Sequence, residues 1–165
     1  MGLQAPITIR VNPDVDAKTH EKIATGKKEN KFGIPISRAR AVYAEAAALK
    51  GIEVVGIDVH IGSQLTELDP FEVAYTKVDE LTETLRADGH DIRRLDLGGG
   101  LGIPYTPEAE PLRLEAMAEA ITRLWQEFKA ANGFIPALFM ESGRFMTGPH
   151  GVLVVSAINR KDTYR

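Results

Sequence analysis

Four short blocks of this 165-residue sequence carry residue types that catalytic and cofactor-binding sites use. They are Asn12-Pro13-Asp14, His60-Ile61-Gly62-Ser63-Gln64, Gly98-Gly99-Gly100-Leu101-Gly102 and Glu141-Ser142-Gly143-Arg144. Each block follows a short apolar run that is predicted to be a strand. In parallel α/β folds, the loops that face the ligand follow the carboxyl ends of the strands. We therefore expect the four blocks to meet at one edge of a parallel sheet.

The three consecutive glycines, Gly98, Gly99 and Gly100, allow backbone amides to approach a phosphate with no Cβ in the way. A tight turn from strand to helix is the commoner reason for such a run. No Gly-Lys-Ser/Thr sequence follows, and Ile103 stands where a dinucleotide-binding fingerprint needs its third glycine. The run therefore predicts either a structural turn or a phosphate site of another kind.

His60 and Ser63 follow the second apolar run. A histidine there can stack on an aromatic ligand or transfer a proton, although a hydrogen-bonded structural histidine is more frequent. Ser63 can donate to a phosphate oxygen. The four histidines, at positions 20, 60, 90 and 150, lack the spacing of metal ligands, so no metal site is predicted. No GxSxG sequence occurs, so the sequence does not support a serine hydrolase.

Glu141 and Arg144 close the fourth block. The Arg144 guanidinium presents a fork of donors that suits phosphate or carboxylate, and its alternative is an ordinary surface ion pair. A carboxylate at the end of an apolar strand needs a partner, because burying it unpaired is costly. For Glu141, that partner is either the protonated ring nitrogen of a cofactor or an arginine or lysine of the scaffold.

Composition excludes several functional classes. The chain is 44% hydrophobic and 26% charged with a formal net charge of −3, and this mixed, slightly acidic balance argues against nucleic-acid binding. The absence of cysteine excludes disulfides, a thiolate nucleophile and cysteine-based zinc sites. No apolar run approaches the roughly 20 residues of a membrane span, and the first residues show no signal-peptide pattern. We expect a cytoplasmic α/β protein that has no membrane partner.

Strands and helices are predicted to alternate along the chain. Strands are expected at 7–11, 54–59, 95–97 and 137–140. One helix is predicted from a Ser37 cap to Gly51, with the apolar stripe Ala39, Val42, Tyr43, Ala46 and Leu49. A second runs from Asp69-Pro70 to Gly89, and a third from near Pro111 to Asn132-Gly133. This order indicates successive βα units on a parallel sheet.

Two further features follow from the same pattern. Met117, Trp125 and Phe128 lie at helical spacing and are predicted to pack in the core rather than to bind a cofactor. Residues 12–35 show no sustained periodicity, and so long a connection is usually functional or mobile.

As a set, the stretches RVNPDVDAKTHEKIATGKKENKFGI, GIDVHIGSQLTE, LDLGGGLGI and ESGR resemble a family of pyridoxal-phosphate-dependent decarboxylases. It is the family with an alanine-racemase-like (β/α)8 barrel that includes diaminopimelate decarboxylase. The resemblance covers essentially the whole chain. It implies an α/β fold, a partial TIM barrel of about four parallel strands and three helices. Residues 1–151 would form the C-terminal half of the barrel, and 152–165 would begin a strand (152–158) leading to a C-terminal β domain.

The resemblance also implies roles for single residues. His60 would stack on the pyridine ring, and Glu141 would pair with the ring nitrogen. Arg144 would contact the phosphate and the substrate carboxylate, and Arg10 is a further candidate. The complete set implied to bind pyridoxal 5'-phosphate is His60, Ser63, Gly98, Gly99, Gly100, Glu141, Ser142, Gly143 and Arg144. Ser142 replaces the proline of the family's EPGR block, and Gly100 is the foremost phosphate-binding glycine.

The family's remaining catalytic groups have no counterpart in the matched blocks. Its cofactor-bearing lysine precedes the matched part, and its catalytic cysteine and a substrate-side tyrosine lie in a C-terminal β domain across a dimer interface. No lysine here occupies a matching motif, and the sequence has no cysteine. We therefore expect a fragment that is inactive alone and that self-associates or pairs with the missing half, because half a barrel leaves unpaired strand edges.

The resemblance leaves several functions open. The leading expectation is decarboxylation of meso-diaminopimelate to L-lysine by a homodimeric enzyme of lysine biosynthesis. Decarboxylation of ornithine, arginine or a D-amino acid is an alternative. A non-catalytic half-barrel that binds pyridoxal phosphate or another phosphate is a second alternative. A sugar-phosphate enzyme on a parallel barrel rests on fold analogy alone.

Overall fold

A parallel sheet runs through the computed structural model, which describes residues 2–15 and 32–161. Its strands are β1 (Ala5–Asn12), β2 (Ile34–Pro35), β3 (Ile52–Asp58), β4 (Arg94–Gly99) and β5 (Ala137–Glu141). They lie in the order β2-β1-β3-β4-β5 and all pair in parallel. The four predicted strands are confirmed. The two-residue strand β2 was not predicted, because so short a segment has no periodicity.

Helices connect the strands. They are α1 (Ala39–Ala47), α2 (Asp69–Ala87), α3 (Leu114–Asn132) and α4 (Gly143–Thr147), with 3-10 turns at Ile36–Arg38 and Gly148–His150. Proline in the first turn of α2 fits a helix start, because its missing N–H would have no partner there. The end of α3 at Asn132 is followed by Gly133 with φ of +71°.

Three helix boundaries differ from the sequence predictions. Ser37 does not cap α1, because it lies inside the preceding 3-10 turn and no side chain caps that helix. Leu49 lies beyond the end of α1 and is 55% exposed. The start of α3 is at Leu114 rather than near Pro111, because the backbone at Arg113 is still extended. Most of the irregular segment predicted at 12–35, namely residues 16–31, lies outside the described residues.

The hydrophobic core lies between the sheet and the helices α1, α2 and α3. Ile57 and Leu95 are fully buried in it. Met117, Trp125 and Phe128 are also buried, which confirms their predicted packing role. This packing fixes the strands, and therefore the positions of the residues that follow them.

The β5 edge of the sheet contrasts with this core. Every side chain of β5 is exposed. The chain from 151 to 161 has no regular secondary structure, and Val152, Leu153, Val154, Val155 and Ile158 are 76–96% exposed. Across residues 2–15 and 32–161, no helix has both the length and the apolar character needed to span a bilayer.

Candidate active site

Charged side chains from four strands meet at the carboxyl end of the sheet. Arg10 pairs in register with Asp58, and Asp58 pairs in register with Asp96 on the next strand. Glu141, the last residue of β5, lies opposite Gly99. Carboxylate oxygens of Asp58, Asp96 and Glu141 all lie within 4.8 Å of one another. We call these three residues the carboxylate cluster.

Sequence reasoning selected Glu141 but missed the other two carboxylates. Both Asp58 and Asp96 interrupt apolar strands, and each is half-buried. Acidic residues inside such strands are rare unless they are paired. The acidic residue within each apolar strand was the available signal. It indicates a shared site only once the strand register is known to place Asp58 beside Asp96.

Burial and mutual repulsion set the electrostatics of the cluster. Burial raises the pKa of Asp58 to about 6, with further upward contributions from Asp96 and Glu141, while Arg10 opposes them. One oxygen of Asp58, Oδ1, is buried and has no hydrogen-bond partner among the described residues. Among the described residues, three carboxylates face one guanidinium, which leaves an excess of negative charge in this part of the site. The site can therefore hold a cationic group beside Glu141.

His60 lies next to this cluster and is half-buried. The Gly99 amide donates a hydrogen bond to its Nδ1 at 3.3 Å, and the Arg10 guanidinium donates to its carbonyl oxygen at 3.5 Å. Burial, followed by the charge of Arg10, lowers the pKa of His60, although Glu141 and Asp96 oppose this shift. Both the hydrogen bond and the pKa favour a neutral imidazole.

The glycine run packs directly against neighbouring backbone. A Cβ at Gly98 would lie 2.2 Å from the Val59 carbonyl oxygen, and one at Gly100 would lie 2.0 Å from that of Gly62. Both positions also have φ in the left-handed region, at +68° and +88°. A Cβ at Gly99 would lie 2.0 Å from the Glu141 carbonyl oxygen. Glycine is therefore required here for the approach of three strand ends to one another.

The amides of the run have different acceptors. Gly98 N–H donates to Asp96 Oδ1 at 2.9 Å, and Gly99 N–H donates to His60. Among the described residues, the Gly100 amide donates a hydrogen bond to no acceptor. Of the three glycines predicted to face a phosphate, Gly100 is thus the one with an uncommitted donor.

Gln64 joins the loops that follow β3 and β4, a role that the sequence did not predict. Its Nε2 donates to the Ile103 carbonyl at 2.5 Å, and its Oε1 accepts from the Ile103 amide at 3.3 Å. Two backbone hydrogen bonds add to this link. The Leu65 N–H donates to the Gly100 carbonyl, and the Gly102 N–H donates to the Leu65 carbonyl. Gln64 has φ of +62°, which is uncommon for a residue other than glycine. Its position inside the HIGSQ block was the only signal in the sequence.

Ser63, Ser142, Gly143 and Arg144 lie around the same strand ends. Ser63 is half-buried in the loop that carries His60. Ser142 immediately precedes α4, and a Cβ at Gly143 would meet no atom within 4 Å. The exposed Arg144 donates to the Tyr105 hydroxyl at 2.5 Å. Arg144 is therefore held by the loop after β4, with its guanidinium accessible to solvent.

The chemistry of these groups fits pyridoxal phosphate. Glu141, within the carboxylate cluster, matches a protonated ring nitrogen, and the neighbouring Asp58 Oδ1 is buried with no hydrogen-bond partner among the described residues. The neutral His60 imidazole can lie flat on an aromatic ring. Ser63, the Gly100 amide and Arg144 are donors of the kinds that phosphate accepts.

A model of one family covers most of the chain. The family described as pyridoxal-dependent decarboxylase, pyridoxal binding domain, matches residues 2–148. The chain is 47% identical over 163 residues to the diaminopimelate decarboxylase of Pseudomonas aeruginosa, covering 99% of this chain and 38% of that protein. It is 42% identical over 162 residues to the Aquifex aeolicus diaminopimelate decarboxylase, covering 98% of this chain and 37% of that protein. The chain thus spans little more than a third of the length of these relatives.

Solved structures of similar proteins have the same fold. Diaminopimelate decarboxylase from Helicobacter pylori, complexed with L-lysine, superposes with a TM-score of 0.78 at 39% identity, covering 87% of this chain and 34% of that one. Lysine decarboxylase from Selenomonas ruminantium superposes with a TM-score of 0.72 at 26% identity, covering 87% and 35%. The same lysine decarboxylase has been solved with PLP and cadaverine. The fold is therefore part of a (β/α)8 barrel, and this chain belongs to the family of pyridoxal-dependent decarboxylases, in their pyridoxal-binding domain.

Proposed function

We propose that this chain forms the part of an amino-acid decarboxylase that binds the ring and phosphate of pyridoxal phosphate, and that the amino acid is meso-diaminopimelate. The observation that carries the proposal is the meeting of the carboxylate cluster, His60 and Gly100 at one end of the sheet. Each of these groups has a chemical counterpart on the cofactor. The product of the whole enzyme would be L-lysine.

Each residue contributes a distinct interaction. Bound pyridoxal phosphate supplies an electron sink for the electron pair left when carbon dioxide departs. Glu141 would hold the proton on the ring nitrogen, and Asp58 and Asp96 would add negative charge that strengthens this interaction. His60 would cover one face of the ring and exclude water from it. Ser63, the Gly100 amide and Arg144 would bind the phosphate, with Ser142 and Gly143 placing Arg144 at the start of α4.

The choice of substrate rests on the relatives. Diaminopimelate decarboxylases from two bacterial species are 42–47% identical to the chain over nearly its whole length. The lysine decarboxylase, which shares the fold, is 26% identical. Arg144 supplies a guanidinium for a substrate carboxylate. Because the more similar relatives are diaminopimelate decarboxylases, we favour a substrate with two amino-acid ends over ornithine, arginine or lysine.

The proposal extends to the setting of the whole enzyme. We expect the whole enzyme to act in the cytoplasm, and a homodimer would complete the site across its interface, as the resemblance implies. Residues 1–151 would be the C-terminal half of the barrel. The 165-residue chain contains no cysteine, and alone it would bind the cofactor without turnover.

A chimaera tests the assignment of substrate. The corresponding segment of the Pseudomonas aeruginosa diaminopimelate decarboxylase is replaced by this chain, and release of carbon dioxide is measured with meso-diaminopimelate, ornithine, arginine and lysine. We expect release from meso-diaminopimelate in large excess over the other three. The control chimaera carries Glu141→Gln, which keeps the side-chain volume but removes the charge, and we expect its rate to fall by at least about tenfold.

Two results would contradict the proposal. A folded chimaera that prefers ornithine, arginine or lysine would assign the chain to another decarboxylase. A folded chimaera that binds pyridoxal phosphate but decarboxylates none of the four would support the alternative of a non-catalytic binding protein.

A further inference from the structure

Two hydrogen bonds from successive backbone amides connect Asp96, through the Gly98-Gly99 turn, to the imidazole of His60. Asp96 Oδ1 accepts from the Gly98 amide at 2.9 Å, and the next amide in the chain, that of Gly99, donates to His60 Nδ1 at 3.3 Å. Through its hydrogen bond with Gly98, Asp96 therefore fixes the turn that orients the Gly99 amide toward His60. A carboxylate that accepts from the amide two residues later is a local interaction that fixes turn geometry.

The direction of the second hydrogen bond determines the protonation of the ring. A backbone amide is only a donor, so Nδ1 must offer a lone pair to it. An imidazolium carries hydrogen on both nitrogens and cannot accept. The Gly99 hydrogen bond is therefore compatible with one form of His60, the neutral imidazole with its proton on Nε2.

The turn has little freedom to aim the amide differently. Gly98 has φ of +68°, and the space where its Cβ would lie is filled by the Val59 carbonyl oxygen and the Cα of His60. The β3 and β4 backbones are also tied at this level by a hydrogen bond from Val59 N–H to Asp96 O at 3.0 Å. With Asp96 Oδ1 in place, the Gly99 amide has one orientation, and it faces His60.

We propose that Asp96 is a positioning residue that, through the Gly98-Gly99 turn, holds His60 as the neutral imidazole protonated on Nε2. The inference rests on the proposed function for its purpose: a neutral ring can lie on a pyridine ring whose nitrogen is protonated without the charge repulsion that an imidazolium would bring. Charged groups on three strands act on His60: Arg10 on β1, Asp96 on β4 and Glu141 on β5. These charges have opposite effects on the protonation of His60, and the hydrogen bond from the Gly99 amide favours the neutral imidazole with its proton on Nε2.

Nitrogen NMR of the histidine rings tests the inference without cofactor. The protein is labelled with 15N-histidine, and the His60 signals are identified as those missing from His60→Gln, since the sequence has four histidines. At neutral pH we expect His60 to show a single tautomer with the proton on Nε2. A protonated ring, or a proton on Nδ1, would overturn the inference.

Substitutions at Asp96 separate a positioning role from a general structural one. Asp96→Asn keeps an oxygen acceptor for the Gly98 amide, so we expect the single tautomer to be preserved despite the lost charge. Asp96→Ala and Asp96→Val lack an acceptor, and we expect a mixture of the two neutral tautomers. Asp96→Val retains most of the side-chain volume, so it distinguishes the lost hydrogen bond from lost packing if the alanine variant is poorly folded.

The control is Asp91→Ala, which removes an exposed carboxylate just before the other end of β4 and should leave the tautomer unchanged. Retention of the single tautomer in Asp96→Val, or its loss in Asp96→Asn, would overturn the role of Asp96. Titration of the same samples with pyridoxal phosphate reports separately on the proposed function, because the tautomer is read before cofactor is added.

Discussion

The two sides of the candidate site are held very differently. The loops after β3 and β4 are joined by backbone hydrogen bonds at Leu65 and by both polar atoms of the Gln64 side chain. The end of β5 and helix α4 are exposed, and Arg144 is tied to the loop after β4 by its hydrogen bond to Tyr105. His60 and Gly100 belong to the first side, and Glu141 and Arg144 belong to the second.

This difference indicates how binding energy is used. Groups that are already fixed lose little conformational freedom when a ligand binds, whereas exposed side chains must be ordered at a cost of about 0.5–1.5 kcal/mol each. The His60 side should therefore accept a ring without rearrangement. Interactions with the phosphate and the ring nitrogen should do more to order Arg144 and Glu141 than to order His60.

The largest expected effect comes from closing the space between the β3 and β4 loops. Gly100→Ala would place a Cβ 2.0 Å from the Gly62 carbonyl oxygen at a φ of +88°. We expect the free energy of unfolding to fall by about 3 kcal/mol, from backbone strain together with overpacking. Urea denaturation followed by circular dichroism measures this change.

Gly143→Ala is the matched control on the open side. A Cβ at Gly143 would meet no atom within 4 Å, so we expect a change within about 0.5 kcal/mol. Equal destabilisation by the two substitutions would show that the two sides of the site are held alike.

Gln64→Ala should have the next largest effect. The substitution removes a half-buried amide that satisfies both backbone groups of Ile103. We expect a loss of about 1–2 kcal/mol in the free energy of unfolding. Gln126→Ala, at an exposed position of α3, should change stability by less than about 0.5 kcal/mol. If the Gln64 variant were no less stable than the Gln126 variant, the link between the loops would contribute nothing measurable.

Much of the fold follows from local sequence patterns. The strands and the long helices α2 and α3 were predicted because apolar residues repeat at helical spacing or form short β-branched runs between turn residues. The bounds of α1 were not predicted correctly. The spacing of its apolar residues does not show that Ser37 belongs to the 3-10 turn at Ile36–Arg38 that precedes the helix. Strand β2 depends on pairing with β1, and no local pattern carries that information.

The site was predictable where a residue's type and place sufficed. His60, Glu141 and the glycine run were selected because each comes directly after an apolar run that predicts a strand. Asp58 and Asp96 were missed because their importance comes from register, which brings them beside Glu141. Gln64 was missed as a contact because an amide that bridges two distant loops has no signature in either loop.

The smallest expected effect is on the pH dependence of stability. Asp58 has a folded-state pKa of about 6, above its ordinary 3.8, so between these values the folded protein binds more protons than the unfolded chain. The free energy of unfolding therefore falls as pH rises through that interval, and the loss is complete above about pH 6. Asp58→Asn should flatten this fall. Partial exposure of Asp58 to solvent keeps the effect modest.

Asp79 on α2 provides the comparison away from the site. Burial, then Glu83 and Glu127, raise its pKa to about 7 from 3.8, so its contribution to stability falls over a window that reaches about one pH unit higher. Asp79→Asn should flatten the upper part of the profile, and Asp58→Asn the lower part. Urea denaturation at a series of pH values checks both, and an unchanged profile in Asp58→Asn would contradict the assigned burial of that carboxyl.

The most direct measurement of the central claim is a calorimetric titration of the protein with pyridoxal phosphate and with pyridoxal, which lacks the phosphate. If Arg144, Ser63 and the Gly100 amide bind the phosphate, pyridoxal phosphate should bind about tenfold or more tightly, and Arg144→Ala should remove most of that difference. Equal affinity for the two compounds in the folded wild-type protein would contradict the assignment of this site to pyridoxal phosphate.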